Sequence, residues 1–189
     1  MTENGIGASV RRKEDYRFLT GKGSYTDDLN LAGQTHAYFV RSPHAHASIN
    51  SIEVSAALAS DGVVAVLTGD DLAADGIGPL ICGVNVTSDD GESHRAPPHP
   101  ALALGKVNYV GDHVAVVIAE TIAQAKDAAE KVEVDYGLLP AVTDTATAAN
   151  DDQQQIHDVA PNNVCFNWPF GDKAASDAAF KSAYKVSSI

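Results

Sequence analysis

Residues 34–42, "QTHAYFVRS", alternate in character: His36, Tyr38 and Val40 fall on one side of an extended chain and Ala37 and Phe39 on the other. This pattern predicts a strand with two apolar sides. "SINSIEV" follows as a second, weaker strand, and "SAALAS" as a short helix capped by Ser55. "GVVAVLTG", bounded by Gly62 and Gly69, reads as a short buried strand that runs into a turn at "TGDDL". Residues 114–119 are continuously apolar, as a central strand covered on both faces would be. Thr121 and Gln124 make a capping box for "TIAQAKDAAEKV", on which Ile122, Ala125, Ala129 and Val132 form one apolar stripe. In "VEVDYG", Val132, Val134 and Tyr136 then alternate with acids. This strand–helix–strand unit is the clearest structural signal and predicts an α/β or α+β fold.

The flanking stretches carry weaker patterns. "SVRRKEDYRFLTGKGSYTDD" predicts a helical turn with Ser9 as cap, Tyr16 and Leu19 spaced i, i+3, and Gly21 and Gly23 as the stop. Residues 75–105 are rich in Gly and Pro without sustained periodicity, and predict a surface excursion with one short strand near Ile81. A loop of that length is usually functional or an interface element. After Pro140 the chain turns small and polar, a linker with at most one helical turn. Asp172 then caps a short helix with Ala175, Ala178 and Ala179 facing inward, and Tyr184, Val186 and Ile189 begin a strand. A strand stopping mid-pattern would leave an open edge. The expectation is a chain cut from something longer, with residues from about 141 onward mobile or docked on a neighbour.

Composition narrows the partners. Of 189 residues 44% are hydrophobic, enough for one real core, and Lys+Arg 13 against Asp+Glu 25 gives a net charge of −12. So acidic a surface repels phosphate backbones and anionic lipid, which argues against nucleic acid and membrane partners. No run approaches the roughly 18 apolar residues of a membrane span, and no apolar stretch follows the first basic residues as in a secretory signal. Cys82 and Cys165 are isolated, neither in a C-x-x-C, which fits a reducing compartment and a cytoplasmic location.

Several residues invite a chemical reading. His44 and His46 in "VRSPHAHASI" could present two imidazoles to one metal, but a site needs further ligands, and only His36 is near, beyond Pro43. The plainer reading is scaffold: Ser42 and Pro43 turn the chain off the strand end while the histidines bond to loop backbone. "GIG" at 5–7 and "GKG" at 21–23 lack the strand–G-x-G-x-x-G–helix context of a phosphate cradle. The pairs Asp27-Asp28, Asp70-Asp71, Asp89-Asp90 and Asp151-Asp152 lie beside turn residues and read as caps and solvated turns. Ser42 and Cys82 show no local sign of an activating base. No catalytic, cofactor-binding or metal-ligating residue follows from these patterns.

Taken in order, "RRKEDYRFLTGKGSYTDDL", "HAYFVRSPHAHASI", "GVVAVLTGDDL", "VNYVGDHVAVVIAE" and "AAEKVEVDYGLLPAV" resemble the amino-terminal part of molybdenum hydroxylase large subunits. These are the xanthine dehydrogenase, aldehyde oxidase and aerobic carbon monoxide dehydrogenase family. The resemblance covers about residues 9–189, with "IHDVAPNN" and "GDKAASDAAF" similar to the family's approach to its molybdenum region. It implies an α+β hammerhead-like domain, a mixed sheet with packed helices. The implied divisions are an extension over 1–15, the hammerhead over 16–140, a linker over 141–172 and the start of a molybdopterin-binding domain over 173–189. His113 stands where the family usually has proline, which the resemblance reads as loosening the turn before the central strand.

The resemblance also implies that the whole enzyme hydroxylates aldehydes or N-heterocycles, or oxidises carbon monoxide, at molybdopterin. The 2Fe–2S clusters and FAD would sit on partner subunits, and the pterin-binding loops and the catalytic glutamate would lie in later sequence. The motifs lean toward the carbon monoxide dehydrogenase branch. On this reading His44 and His46 are scaffold, and the chain is a docking part whose contact surfaces are residues 17–25 and 75–105. A free-standing interaction module of the same fold is the alternative, and a small metalloprotein using His44 and His46 a third reading.

Overall fold

A computed structural model of the chain describes Gly7, Ser9 and residues 12–187. The chain divides into two units, Met1–Thr35 and His36–Ile189. In the first, helix α1 (Asp15–Leu19) begins after Glu14, with no role for Ser9, and buries none of its residues. Phe18 stacks on Tyr25 at 5.2 Å, and the Arg17 guanidinium lies 5.0 Å from the Phe18 ring centroid. Gly23 passes so close to Phe18 that a Cβ there would enter the ring. The Asp27-Asp28 pair closes a 3-10 turn, Thr26–Asp28, in which the Tyr25 amide donates to Asp28 Oδ2 at 2.8 Å.

The second unit holds two three-stranded sheets, both antiparallel. One has the order β1–β5–β3, from β1 (His36–Arg41), β3 (Val63–Thr68) and β5 (His113–Ala119). The other has the order β4–β2–β6, from β2 (Ala47–Glu53), β4 (Lys106–Val107) and β6 (Glu133–Leu138). The expected α+β class holds, with two antiparallel sheets in place of one mixed sheet. "SINSIEV", read as the weaker strand, forms the middle of the second sheet.

Strand β5 explains its own continuous apolar run. Val114 and Val117, three apart in an extended chain, point to opposite sides. Val117 packs with Ala57, Val66, Ala128 and Ala129; Val114 packs with Ala47, Ala103 and Val107. The strand thus lies between two cores, and both of its faces are dry although its neighbours are antiparallel.

Helix α4 (Ile122–Ala129) closes the first core. Thr121 Oγ1 accepts the Gln124 amide at 3.2 Å, as the capping box predicts. Ala125, Ala128 and Ala129 are buried, whereas Ile122, expected in the stripe, is 44% exposed. Ile122 is the first residue after the cap, and the small face of three alanines lets the helix lie close to the sheet. Helix α2 (Ser55–Leu58) starts one residue earlier than expected: Ser55 is its first residue and not its cap, and its amide donates to Glu53 Oε1 at 2.8 Å. The expected turn at "TGDDL" is a helix, α3 (Gly69–Ala74), with Thr68 and Asp71 as a reciprocal cap.

The 75–105 excursion is irregular, but no strand forms at Ile81, which is 97% exposed; its one pairing joins Thr87 and Ser93. Among the described residues the stretch after residue 140 lacks strands yet is tied back to the unit. The Lys106 ammonium donates to the Ile156 carbonyl at 2.8 Å, the Arg95 amide to Cys165 at 2.8 Å, and the Asp89 amide to Asn167 at 2.9 Å. Helix α5 (Lys173–Ser182) is capped by Asp172, but none of its residues is buried, so Ala175, Ala178 and Ala179 do not face inward within this chain. Tyr184 is fully exposed and no strand follows it among the described residues; Ile189 lies outside them. No helix among the described residues is long and apolar enough to cross a membrane.

Candidate functional site

The "SPHAH" segment is knotted to the turn before β5. The Ser42 amide donates to Asp112 O, and the Gly111 amide to Ser42 O, each at 2.8 Å. Ser42 Oγ donates to the His44 carbonyl at 2.9 Å and accepts the His44 amide at 3.0 Å, so this buried hydroxyl is fully used in turning the chain. His44 packs edge-on against Tyr136 at 4.9 Å. His46 is buried and donates from Nδ1 to the Pro140 carbonyl at 2.7 Å. The two rings therefore serve different partners. His36 sits at the far end of β1, opposite Ala119.

The turn at 108–113 is closed by its own hydrogen bonds. Asp112 Oδ2 accepts the Asn108 amide at 3.0 Å, the Asp112 amide donates to Tyr109 O at 3.2 Å, and His113 stacks on Phe39 at 4.4 Å.

Next to this turn lies a cavity of about 760 Å³. Leu72, Ile77, Pro98, Leu104 and Tyr109 supply its apolar wall, and Lys106, Asn108, Asp112, His157 and Asp158 its polar one. Gly69 is required at its floor, since a Cβ would run into the Ala103 carbonyl. Burial, followed by the nearby Asp112 carboxylate, raises the Tyr109 phenol above its ordinary range. Burial, then the charges of Lys106 and His46, lowers His157 against the opposing pull of Asp112 and Asp158. Asn108 Oδ1 is buried without a partner.

The donor set here does not suit the molybdopterin that the resemblance implies for the whole enzyme. The cavity's one lysine is engaged with the Ile156 carbonyl, and the carboxylates of Asp112 and Asp158 in its lining would repel a pterin phosphate. Among the described residues no group of three or more His, Cys, Asp or Glu is arranged to hold a metal.

The remaining candidates are structural or separate. Asp71 caps α3, Asp90 Oδ1 accepts the Glu92 amide, Asp89 Oδ2 accepts Asn167 Nδ2, and Asp151 Oδ1 accepts Asn162 Nδ2. "GIG" lies outside the described residues apart from Gly7. Cys82 differs from its sequence reading: His94 Nε2 stands 3.6 Å from its sulfur. Twelve residues separate the two, and the chain reversal closed by the Thr87–Ser93 pairing and by the His94 amide bonded to the Val86 carbonyl brings them together, so no local pattern could have shown it.

The hammerhead domain model of aldehyde oxidase and xanthine dehydrogenase matches residues 20–140. The carbon monoxide dehydrogenase large chain of Afipia carboxidovorans is 38% identical across 97% of this chain and 23% of its own length. The nicotine 6-hydroxylase large subunit of Paenarthrobacter nicotinovorans is 42% identical across 76% of this chain and 17% of its own. Among solved structures, a Cu,Mo-CO dehydrogenase in its carbon monoxide reduced state superposes with a TM-score of 0.73 at 36% identity, over 95% of this chain and 23% of that one. This chain thus spans about a fifth of the relatives it matches. With a family-model match over most of its length, the chain belongs to the aldehyde oxidase and xanthine dehydrogenase a/b hammerhead domain family.

Proposed function

We propose that this chain is the amino-terminal docking part of a molybdenum-dependent hydroxylase large subunit. It contributes surface and register, while molybdopterin is held by the remaining four fifths of such a protein. The single observation that carries the reading is the apolar surface left outside the two cores. In the first unit Tyr16, Leu19, Leu29 and Leu31 are all more than 60% exposed; in the second, Leu80, Ile81, Trp168 and Phe170 are comparably bare. Scattered apolar side chains are ordinary on a surface, but contiguous ones mark interaction sites.

On this reading residues 17–25 and the 75–105 excursion are each contact surfaces for the molybdenum-binding part or for an iron–sulfur subunit. A flavin subunit completes the electron path to FAD, and the complex is cytoplasmic. The divisions at 15, 140 and 172 separate extension, hammerhead, linker and the start of the next domain. No residue here takes a catalytic, cofactor-binding or metal-ligating role, and the cofactor performs the redox chemistry elsewhere. The substrate is of the aldehyde, N-heterocycle or carbon monoxide class; the extended match to a carbon monoxide dehydrogenase favours that branch.

The test is assembly. In the full complex, replacing Phe18 and Leu19 together with Ser should weaken subunit association at least about tenfold, the effect of losing two apolar anchors. Undiminished association of the double variant would remove this surface from the reading.

A further inference from the structure

We propose that Cys82 and His94 form a nucleophilic thiol site, at which a small neutral disulfide caps Cys82 as a mixed disulfide. The Cys82 sulfur stands 3.6 Å from His94 Nε2, and Cys82 is exposed to solvent while the His94 ring is half-buried. A thiol becomes nucleophilic once its proton has somewhere to go. A base in hydrogen-bonding contact, itself held by a third group, is the usual arrangement. The third group here is Phe166, whose ring meets His94 edge-on at 6.2 Å. The site is a property of this hairpin and stands apart from the docking reading.

The backbone builds the contact. Thr87 pairs with Ser93, the His94 amide donates to Val86 O at 3.0 Å, and the Ser88 amide to Glu92 O at 2.8 Å, so the chain doubles back and returns residue 94 to residue 82. A third segment braces this hairpin. The Arg95 amide donates to Cys165 O at 2.8 Å, and the buried Ser88 hydroxyl donates to the Asn167 carbonyl at 3.2 Å and accepts the Asn167 amide at 2.9 Å. Phe166 lies between those two anchors and is thereby held against the imidazole. The Arg95 guanidinium faces Asp90 at 3.8 Å. The Val84 carbonyl, 3.8 Å from the sulfur, is a second acceptor for the thiol, but a carbonyl does not carry the proton away. Among the described residues only Cys82 pairs its sulfur with a ring nitrogen.

The step balances with the disulfide R–S–S–R as its oxidant. The Cys82 proton passes to His94 Nε2, and the thiolate attacks one sulfur of the reagent. A bond from Cys82 Sγ to that sulfur forms as the bond between the two reagent sulfurs breaks. The departing thiolate takes the proton from the imidazolium and leaves as R–SH. Cys82 is oxidised to the disulfide level, and one half of the reagent is reduced. A neutral reagent fits because a chain with net charge −12 repels anions. Where residues 75–105 serve as a contact surface, capping precedes assembly, since the thiol is open only while that surface is.

Dipyridyl disulfide, a neutral reagent whose reduced half absorbs on release, tests the site on the whole 189-residue chain near neutral pH. The second cysteine is the internal standard: Cys165→Ser reads Cys82 alone, and Cys82→Ser reads Cys165 alone. Cys82 should react at least about tenfold faster than Cys165, and His94→Ala and His94→Gln should each slow Cys82 about tenfold. Free imidazole should restore part of the rate in His94→Ala, as proton transfer requires and a purely structural role does not. The mass of the capped parent chain should show one half of the reagent on Cys82. Equal rates for the two cysteines would overturn the proposal. So would a histidine variant as fast as the parent, a loss that imidazole leaves untouched, or a disulfide between Cys82 and Cys165 in place of the mixed one.

Discussion

Gly69 shows how a single residue ties an element to a cavity. As the first residue of α3 it lies against the Ala103 carbonyl on the floor of the cavity, and a methyl group has no room there. Gly69→Ala should destabilise the chain by about 1–3 kcal/mol, the usual range for forcing extra volume into a packed site. Urea unfolding checks it, and a midpoint unchanged from the parent chain would show that the strand of carbonyls at 102–103 can give way. The sequence marked Gly69 only as a boundary, because a glycine's neighbours 34 residues away leave no local trace. His46 makes the same point. The acceptor that holds its ring, Pro140, is 94 residues on, and nothing in "SPHAH" indicates it. The pairing of Cys82 with His94 was wholly illegible for the same reason.

At the level of elements, local signals were reliable and pairing was not. The Thr121 and Gln124 cap is an i, i+3 contact and was read correctly from four residues. Thr68 and Asp71 carry the same signature, but the glycine between them suggested a turn, and the helix was missed. That cap can be tested by acid. The hydrogen bonds from Thr68, side chain first, hold the Asp71 carboxyl below its ordinary 3.8. A carboxyl lowered in this way adds stability that is present above pH 3.8 and is lost as the pH falls through the lowered midpoint. Asp71→Asn should therefore cost stability at neutral pH and show a flatter stability curve across the acid range, measured by thermal unfolding at a series of pH values. A slope equal to the parent's would remove Asp71 from the acid response. The misjudged rank of β2 has another cause: its serines and asparagine face partly to solvent, so its sequence looks weak although β4 and β6 bond to both of its edges.

For the whole molecule, the contrast between residues 141–170 and α5 is the instructive one. The former are hydrogen-bonded to β4 and to the excursion, whereas α5 buries nothing within the chain. A ten-residue helix without a packed face is marginal in water. In the isolated chain its amides should exchange within about tenfold of unstructured rates, while β5 exchanges slowest; strong protection over residues 173–182 in a monomer would contradict this. The amphipathic alanine face of α5 was correctly seen as apolar and wrongly given an inward partner. What the sequence determined by itself was whatever depends on neighbours within a few residues: strand and helix periods, caps, the acidic balance, and an ordered set of motifs specific enough to indicate the family. Only the tertiary structure decided which strand lies between two cores, that the sheets are two and antiparallel, and that Lys106, Asp112 and His157 share one cavity. Those outcomes depend on contacts between residues dozens of positions apart, and chain order alone does not specify which distant surfaces meet.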